Sequence, residues 1–488
     1  MKNYSIWKEN VKIPDFKKLD QNLDVDVLII GGGMTGINTL YQLSGSSLDV
    51  VLVEQNKIGM GVTVNSTGKL TYLQDSLYEQ IVNSFEEDTA SKYLSSQKDA
   101  IKLAVDIINK ESIDCNLMFA PSYVYANDEE EVGKLSQLKN FLERNNIKVL
   151  EGRSDLIKYK AMIGVEDTYV FHPLKYIKGI VSKLDKNKIY EDTSIVKMDK
   201  NGDEGYICYT NDDKIIRANK VVIASHYPYF KLPFVFPIKG SLEKSYLSAS
   251  KYKKDNISLI KYSKPIISIR SYLEYLLYLT NSHNISSKVD DKMHYNELMK
   301  KLNDLKLEPE FMWSNTDIMT NDGLPYIGKI DDNLLLGTGY NAWGMANGIL
   351  AGKILADILV GKDNKYVDLF NPKRINIANV GGAVKDGYYS VTGYINGILT
   401  DNDRIKYETV DGKEIAIYYD DNGKHSVYTK CPHMGCRLIF NEVELTWDCP
   451  CHASRFDLDG KCISGPSNKD ITVNEELRWV LFFVRHIS

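Results

Sequence analysis

Four residues near the C-terminus have the types and spacing to hold redox-active metal: Cys431 and His433 in the string CPHMGC, and Cys449 and His452 in CPCHAS. A C-x-H arm and a C-x-x-H arm, fifteen residues apart, supply thiolate and imidazole ligands from two tight loops. Two thiolates and two imidazoles are the ligand set of a [2Fe–2S] centre in which each pair holds one iron. Such a centre carries one electron at a time. A structural zinc site also uses Cys and His, but ribbons and fingers favour like pairs at short spacing, whereas each arm here carries one of each. Cys436 closes the first loop and Cys451 lies inside the second, where they could pin the loops together.

A second chemistry-bearing pattern opens the chain. Residues 25–30, VDVLII, form a near-continuous apolar run of strand length, followed by GGGMTG and by INTLYQL with helical spacing. This places Gly31 at a tight turn, Gly33 where backbone approaches a pyrophosphate, and Gly36 where helix packs on strand. The run DVVLVE ends in Glu54, positioned to accept hydrogen bonds from a ribose. Strand, glycine turn, helix, strand and acid together indicate a dinucleotide site.

Residues from about 400 to 488 resemble a Rieske domain of the respiratory and photosynthetic kind. The resemblance implies that Cys436 and Cys451 are paired, and that CISGPS, with Gly465 and Pro466, covers the cluster. Cys462 has no motif partner and reads as a small buried hydrophobe. High-potential members carry a Ser and a Tyr after the second histidine, both donating to cluster sulfur. Here Ser454 is present but Phe456 replaces the tyrosine, which implies a middling potential. Ala453 replaces the usual glycine before that serine, a mild change in sequence terms.

The stretch QNKIGMGVTVNSTGKL after Glu54, then KVVIASHYP, PIKG, TNDGLPYIG and LLLGTGYNAWGMANG, together resemble the D-amino-acid oxidase and sarcosine oxidase superfamily of FAD-dependent oxidoreductases, over about 20 to 360. By that resemblance Ser66, Thr67 and Lys69 wrap the pyrophosphate and flavin, and Ala224 also contacts FAD. Gly337, Gly339, Gly344 and Met345 begin a closing helix at the isoalloxazine. The whole chain, with SIWKEN, WSNTDIMTNDGLPYIG and TWDCPCHASRFD, resembles bacterial FAD-dependent oxidoreductases that end in a Rieske domain.

The elements that must position these groups follow. The expected fold is an α/β FAD-binding Rossmann-like domain with an inserted antiparallel-sheet substrate domain, plus a C-terminal all-β Rieske domain. The bounds are 1–361 for the oxidoreductase, 362–398 for a linker and 399–488 for the Rieske domain. Residues 76–108 read as amphipathic, charged surface helices, and 240–315 as the substrate sheet. A net charge of −5 and a pI near 6.0 give no nucleic-acid footprint. Neither a spanning apolar stretch nor a signal-peptide pattern is present in the sequence, so the expected location is the cytoplasm.

The expected function is oxidation of an amine, amino acid or related small molecule by FAD, with electrons leaving through the cluster to an external acceptor. Catalytic candidates are Lys239 of PIKG, Arg270 as a carboxylate clamp, and Tyr340 beside Trp343 on the flavin's substrate side. His226 and His283 read as structural. A Rieske oxygenase needs a mononuclear iron held by two His and a carboxylate, and histidines 172, 226, 283, 294, 425 and 486 contain no closely spaced pair. A non-enzymatic electron carrier or redox sensor is the alternative function.

Overall fold

The computed structural model describes residues 1–228, 240–252, 256–287, 291–374, 405–421 and 423–473. The VDVLII run lies in the strand Leu23–Ile30, which pairs in parallel with Val50–Val53 on one side and Ile215–Ile223 on the other. A strand flanked on both edges and covered on both faces must be apolar where it is buried, which accounts for the run Val27–Ile30; Asp24 and Asp26 fall in its less buried first half. Leu334–Thr338 and Ile189–Tyr190 extend the parallel part outward, and Ile195–Lys200, Tyr206–Thr210 and Tyr326–Lys329 join antiparallel. Val27 and Ile29 pack into one hydrophobic cluster with the helices Met34–Leu43 and Gly344–Leu359, while Leu28 and Ile30 pack into another, as period-2 alternation requires.

A second eight-stranded sheet runs in the order Pro309–Thr320, Gly240–Lys251, Tyr275–Asn284, Ser268–Tyr272, Ser258–Lys261, Ser122–Ala126, Ala161–Val165, Leu150–Glu151. It is antiparallel apart from the parallel pairing of Ser258–Lys261 with Ser122–Ala126. The 240–315 stretch therefore supplies part of this sheet, and residues 122–165 the rest. The helix Asp291–Asp304 interrupts the strands with buried His294, Tyr295, Leu298 and Leu302.

The helical stretch expected over 76–108 consists of two helices, Leu77–Ser84 and Glu87–Lys110, divided where the backbone leaves helical geometry at Phe85 and Glu86. Glu87 and Asp88 then open the second helix, where carboxylates complement the dipole. Residues 362–374, expected to open the linker, pack on the oxidoreductase body. Tyr366 and Phe370 are buried, and Arg374 forks onto Asp322 through Nε and Nη2, both at 2.8 Å. The remainder of that expected linker lies outside the described residues.

The C-terminal part has a three-stranded sheet, Ile405–Val410, Lys413–Asp420 and Gly423–Tyr428, and a four-stranded one, Ile439–Asn441, Thr446–Asp448, Arg455–Phe456 and Cys462–Ser464. All pairings are antiparallel, and Trp447, Phe456 and Val427 anchor a core of its own. No helix among the described residues is long and apolar enough to cross a membrane.

Candidate functional site

A first cavity lies at the ends of the parallel strands, lined by Gly31, Gly33, Glu54, Ala224, Gly337, Tyr340, Gly344 and Met345 among others. Gly31 sits at φ +114°, and a Cβ there would stand 2.6 Å from the Ala224 carbonyl oxygen. A Cβ on Gly36 would stand 1.9 Å from the Gly31 carbonyl oxygen, so helix and turn approach as closely as backbones can. Gly33 differs: its Cβ would meet only Thr63 Oγ1, at 3.3 Å, and would otherwise project into free space. That open cradle at the start of a ten-residue helix fits a pyrophosphate. Glu54 accepts hydrogen bonds from Gly32 N at 2.7 Å and Asn56 N at 2.8 Å. Burial raises its carboxyl pKa against those bonds.

A second cavity of about 400 Å³ adjoins the first, the two sharing Val62, Gly344 and Met345. Ser66, Thr67 and Lys69, expected around the pyrophosphate and flavin, line this second cavity and not the first. The Lys69 ammonium donates to the Leu259 carbonyl at 2.8 Å, and burial lowers its pKa to about 7. Of the catalytic candidates, neither Arg270 nor Tyr340 lines the second cavity. Lys239 lies outside the described residues. Arg270 is 1% exposed and donates to the carbonyls of Thr67, Gly68, Phe171 and Ser271 beneath the Trp7 ring, so it clamps a loop instead of facing a substrate. Tyr340 stands on the nucleotide side, its hydroxyl 2.7 Å from Thr35 Oγ1. Trp343 does line the second cavity.

In the C-terminal domain the four expected ligands converge. The His433 and His452 rings are 4.8 Å apart at 88°, and each Nδ1 is buried without a hydrogen-bond partner. Two orphaned imidazole nitrogens beside two buried thiols are a donor set that fits a cluster. The thiols of Cys431 and Cys449 interact directly: the bond from Cys449 lowers the Cys431 pKa, and the second proton of the pair is held correspondingly tightly. Burial lowers His452 to about 4, keeping its ring neutral as a metal ligand requires. Cys436 and Cys451 are joined as a disulfide. Ser454 hydrogen-bonds Cys431, whereas Phe456 is fully buried and offers no donor.

Ala453 adopts φ +60°, the left-handed region, so its substitution for glycine is a strained one and not mild. Ala453→Gly is expected to stabilise the domain by about 0.5–1 kcal/mol, measured as a higher denaturation midpoint with unchanged cluster absorbance.

The two halves meet through buried charge. Lys244 Nζ lies 2.7 Å from Asp448 Oδ2 and 2.9 Å from Asp291 Oδ2, and Arg455 Nη2 lies 2.9 Å from Glu444 Oε2, which also faces Ser314. Burial opposes the Lys244 charge, but the two carboxylates outweigh it and raise its pKa. Removing one partner of such a network strands the others. Lys244→Ala is therefore expected to cost about 3–5 kcal/mol and to expose the junction to limited proteolysis, with partial recovery in Lys244→Met combined with Asp448→Asn.

Alongside this network a small crevice is lined by His226, Tyr227, Ser464, Gly465 and His452. Val62, His226, Ser464 and Gly465 line both this crevice and the nucleotide cavity. Tyr227 and His452 have ring centroids 6.0 Å apart. The loop expected to cover the cluster thus also walls the nucleotide site. His226, discounted in the sequence as structural, stands between the two sites with φ +62° and a buried, unpartnered Nε2.

A nucleotide fold whose closing helix borders a second cavity, joined to a Cys₂His₂ cluster domain, defines a flavin and iron–sulfur oxidoreductase. The chain belongs to the FAD dependent oxidoreductase family, whose model matches residues 26–358, and carries a Rieske [2Fe-2S] domain matched over 399–475. Its cofactors are accordingly FAD and a [2Fe–2S] cluster. It is 29% identical to the Rieske 2Fe-2S iron-sulfur protein called YhfW of Bacillus subtilis (strain 168), over 95% of this chain and 96% of that one. It is 22% identical to gamma-glutamylputrescine oxidoreductase of Escherichia coli (strain K12), over 73% of this chain and 88% of that protein. Among solved structures, glycine oxidase from Geobacillus kaustophilus shares the fold with a TM-score of 0.61 at 18% identity, covering 72% of this chain and all of that one.

Proposed function

We propose that the protein oxidises a small amine at a CH–NH or CH–NH₂ group and passes the electrons through its Rieske centre to an external acceptor. The observation that carries this reading is the shared wall of His226, Ser464 and Gly465 between the nucleotide cavity and the crevice holding His452. When bound, FAD supplies a two-electron acceptor able to release electrons singly, and the cluster supplies a one-electron carrier.

The chain's own residues divide the remaining work. Gly31, Gly33 and Gly36 admit the pyrophosphate, Glu54 orients the ribose end, and Ala224, Gly337, Gly344 and Met345 frame the flavin. Cys431, His433, Cys449 and His452 hold the cluster, and the Lys244–Asp448 contact fixes it beside the nucleotide cavity. Ser66, Thr67, Lys69 and Trp343 wall the chamber where substrate binds and water is excluded. A chain kept only as a carrier has no need of that chamber, which favours the enzymatic reading. Anaerobic addition of amines to the oxidised holoenzyme tests it: flavin bleaching followed by the electron paramagnetic resonance signal of a reduced Rieske centre is expected. Bleaching without cluster reduction would remove the electron-exit role.

A further inference from the structure

The strands Gly240–Lys251 and Pro309–Thr320 pair with Glu243 opposite Asp317 and Ser245 opposite Asn315. Side chains alternate across a strand, and these residues share the sheet face that walls the second cavity. Asp75 enters the same cavity from the turn before the helix Leu77–Ser84, accepting from Leu77 N at 3.1 Å.

The charges in this chamber do not cancel locally. Glu243 is joined to Lys264, and Lys69 donates to a backbone carbonyl. Among the described residues Asp75 and Asp317 have no ion-pair partner, Asp317 accepting the Asn315 amide at 3.0 Å. No arginine is among the described lining residues. A second observation is independent of the carboxylates. Asn315, 7% exposed, keeps a buried Oδ1 with no donor, on the strand face that Asp317 and Met319 present to the cavity.

An ionised carboxylate in a recess without a partner is costly, and burial raises Asp75 and Asp317 to about 7. A ligand ammonium brings three donors and a positive charge, satisfying both the carboxylates and the orphaned amide oxygen. A ligand carboxylate would add to the repulsion. We propose that the second cavity selects an aliphatic di- or polyamine without a carboxylate, its remote ammonium held against Asp317 and the Asn315 carbonyl and its charge further balanced by Asp75. This rests on the amine-oxidising reading and narrows it.

The test is calorimetric titration of the oxidised holoenzyme at about pH 8, above the raised carboxyl values, with 1,4-diaminobutane, butylamine, glycine and proline. Flavin reduction is followed separately for each compound. The diamine is expected to bind about tenfold or more tighter than butylamine, as loss of one charged hydrogen-bonding group implies, and far tighter than either amino acid. Asp317→Asn is expected to remove about tenfold of that preference while FAD content stays constant. Asp75→Asn serves as the second variant, and the diamine-to-butylamine ratio needs no variant at all. A ratio near one, or preferred binding of the amino acids, overturns the inference while the amine-oxidising reading stands. An unchanged diamine affinity in both variants overturns the assigned site. Absence of binding and of flavin reduction with every compound overturns both readings.

Discussion

Cys431→Ser and His452→Ala proteins are expected to purify with full FAD and less than about a tenth of the normal cluster, since each removes one ligand from an iron that the chain holds with two. The retained flavin follows from the packing. The residues around Cys431, Trp447 and Phe456 form a hydrophobic cluster separate from the one containing Val27, Ile37 and Ile349. Losing metal from one core therefore leaves the other folded. The functional consequence should be a split phenotype. Amine addition still bleaches the flavin under anaerobic conditions, whereas turnover with a one-electron acceptor falls to background. Metal analysis and electron paramagnetic resonance check the first half, and steady-state acceptor reduction the second. Acceptor turnover at the full rate in a cluster-free protein would falsify the exit role and leave the domain a structural or sensing part.

The glycine turn and the converging Cys–His loops were legible in the sequence because each is written locally. A glycine turn must sit between its strand and helix, so Gly31 and Gly36 fall where φ +114° and a 1.9 Å approach demand them. The four cluster ligands lie within two short loops, so spacing alone brings them near one another. The second cavity was not legible, because its wall is built by register between distant strands. Asp317 meets Glu243 only through antiparallel pairing, and Asp75 arrives from a third element. The local signal was alternation in the string that contains Asn315, Asp317 and Met319, which a polar strand face can carry without any cavity.

The histidines show the same limit. His283 and His294 are eleven residues apart in sequence, yet their rings stack at 4.1 Å. The stacked rings lie 14° from parallel beside Tyr246, so their nitrogens do not converge, and no His and carboxylate group with metal-binding spacing occurs among the described residues. Arg270 misled for a related reason. Backbone carbonyls take up its Nε and Nη1 while Nη2 stays buried without a hydrogen-bond partner, and sequence gives no sign of which acceptors await a buried arginine.

Replacing Gly33 and Gly36 separately should give two different failures, because the two glycines are required for different reasons. Gly36→Val places carbon where the Gly31 carbonyl already stands, so the helix Met34–Leu43 cannot seat and the protein is expected to be insoluble or grossly destabilised. Gly33 has φ −84°, an ordinary value for any residue, and a Cβ there meets only Thr63 Oγ1 at 3.3 Å, a contact that a shift of a few tenths of an ångström relieves. Gly33→Val should therefore fold, with far-ultraviolet circular dichroism close to the parent's, while its side chain fills the space a pyrophosphate needs. The expected loss is nearly all bound FAD, read as visible flavin absorbance per polypeptide, with the Rieske spectrum retained because that core does not depend on the turn. Glu54→Ala should be intermediate, since it removes an acceptor worth about 1.5–3 kcal/mol to a ribose hydroxyl and also frees Gly32 N. Full flavin content in a folded Gly33→Val protein would show that the pyrophosphate does not lie over this turn.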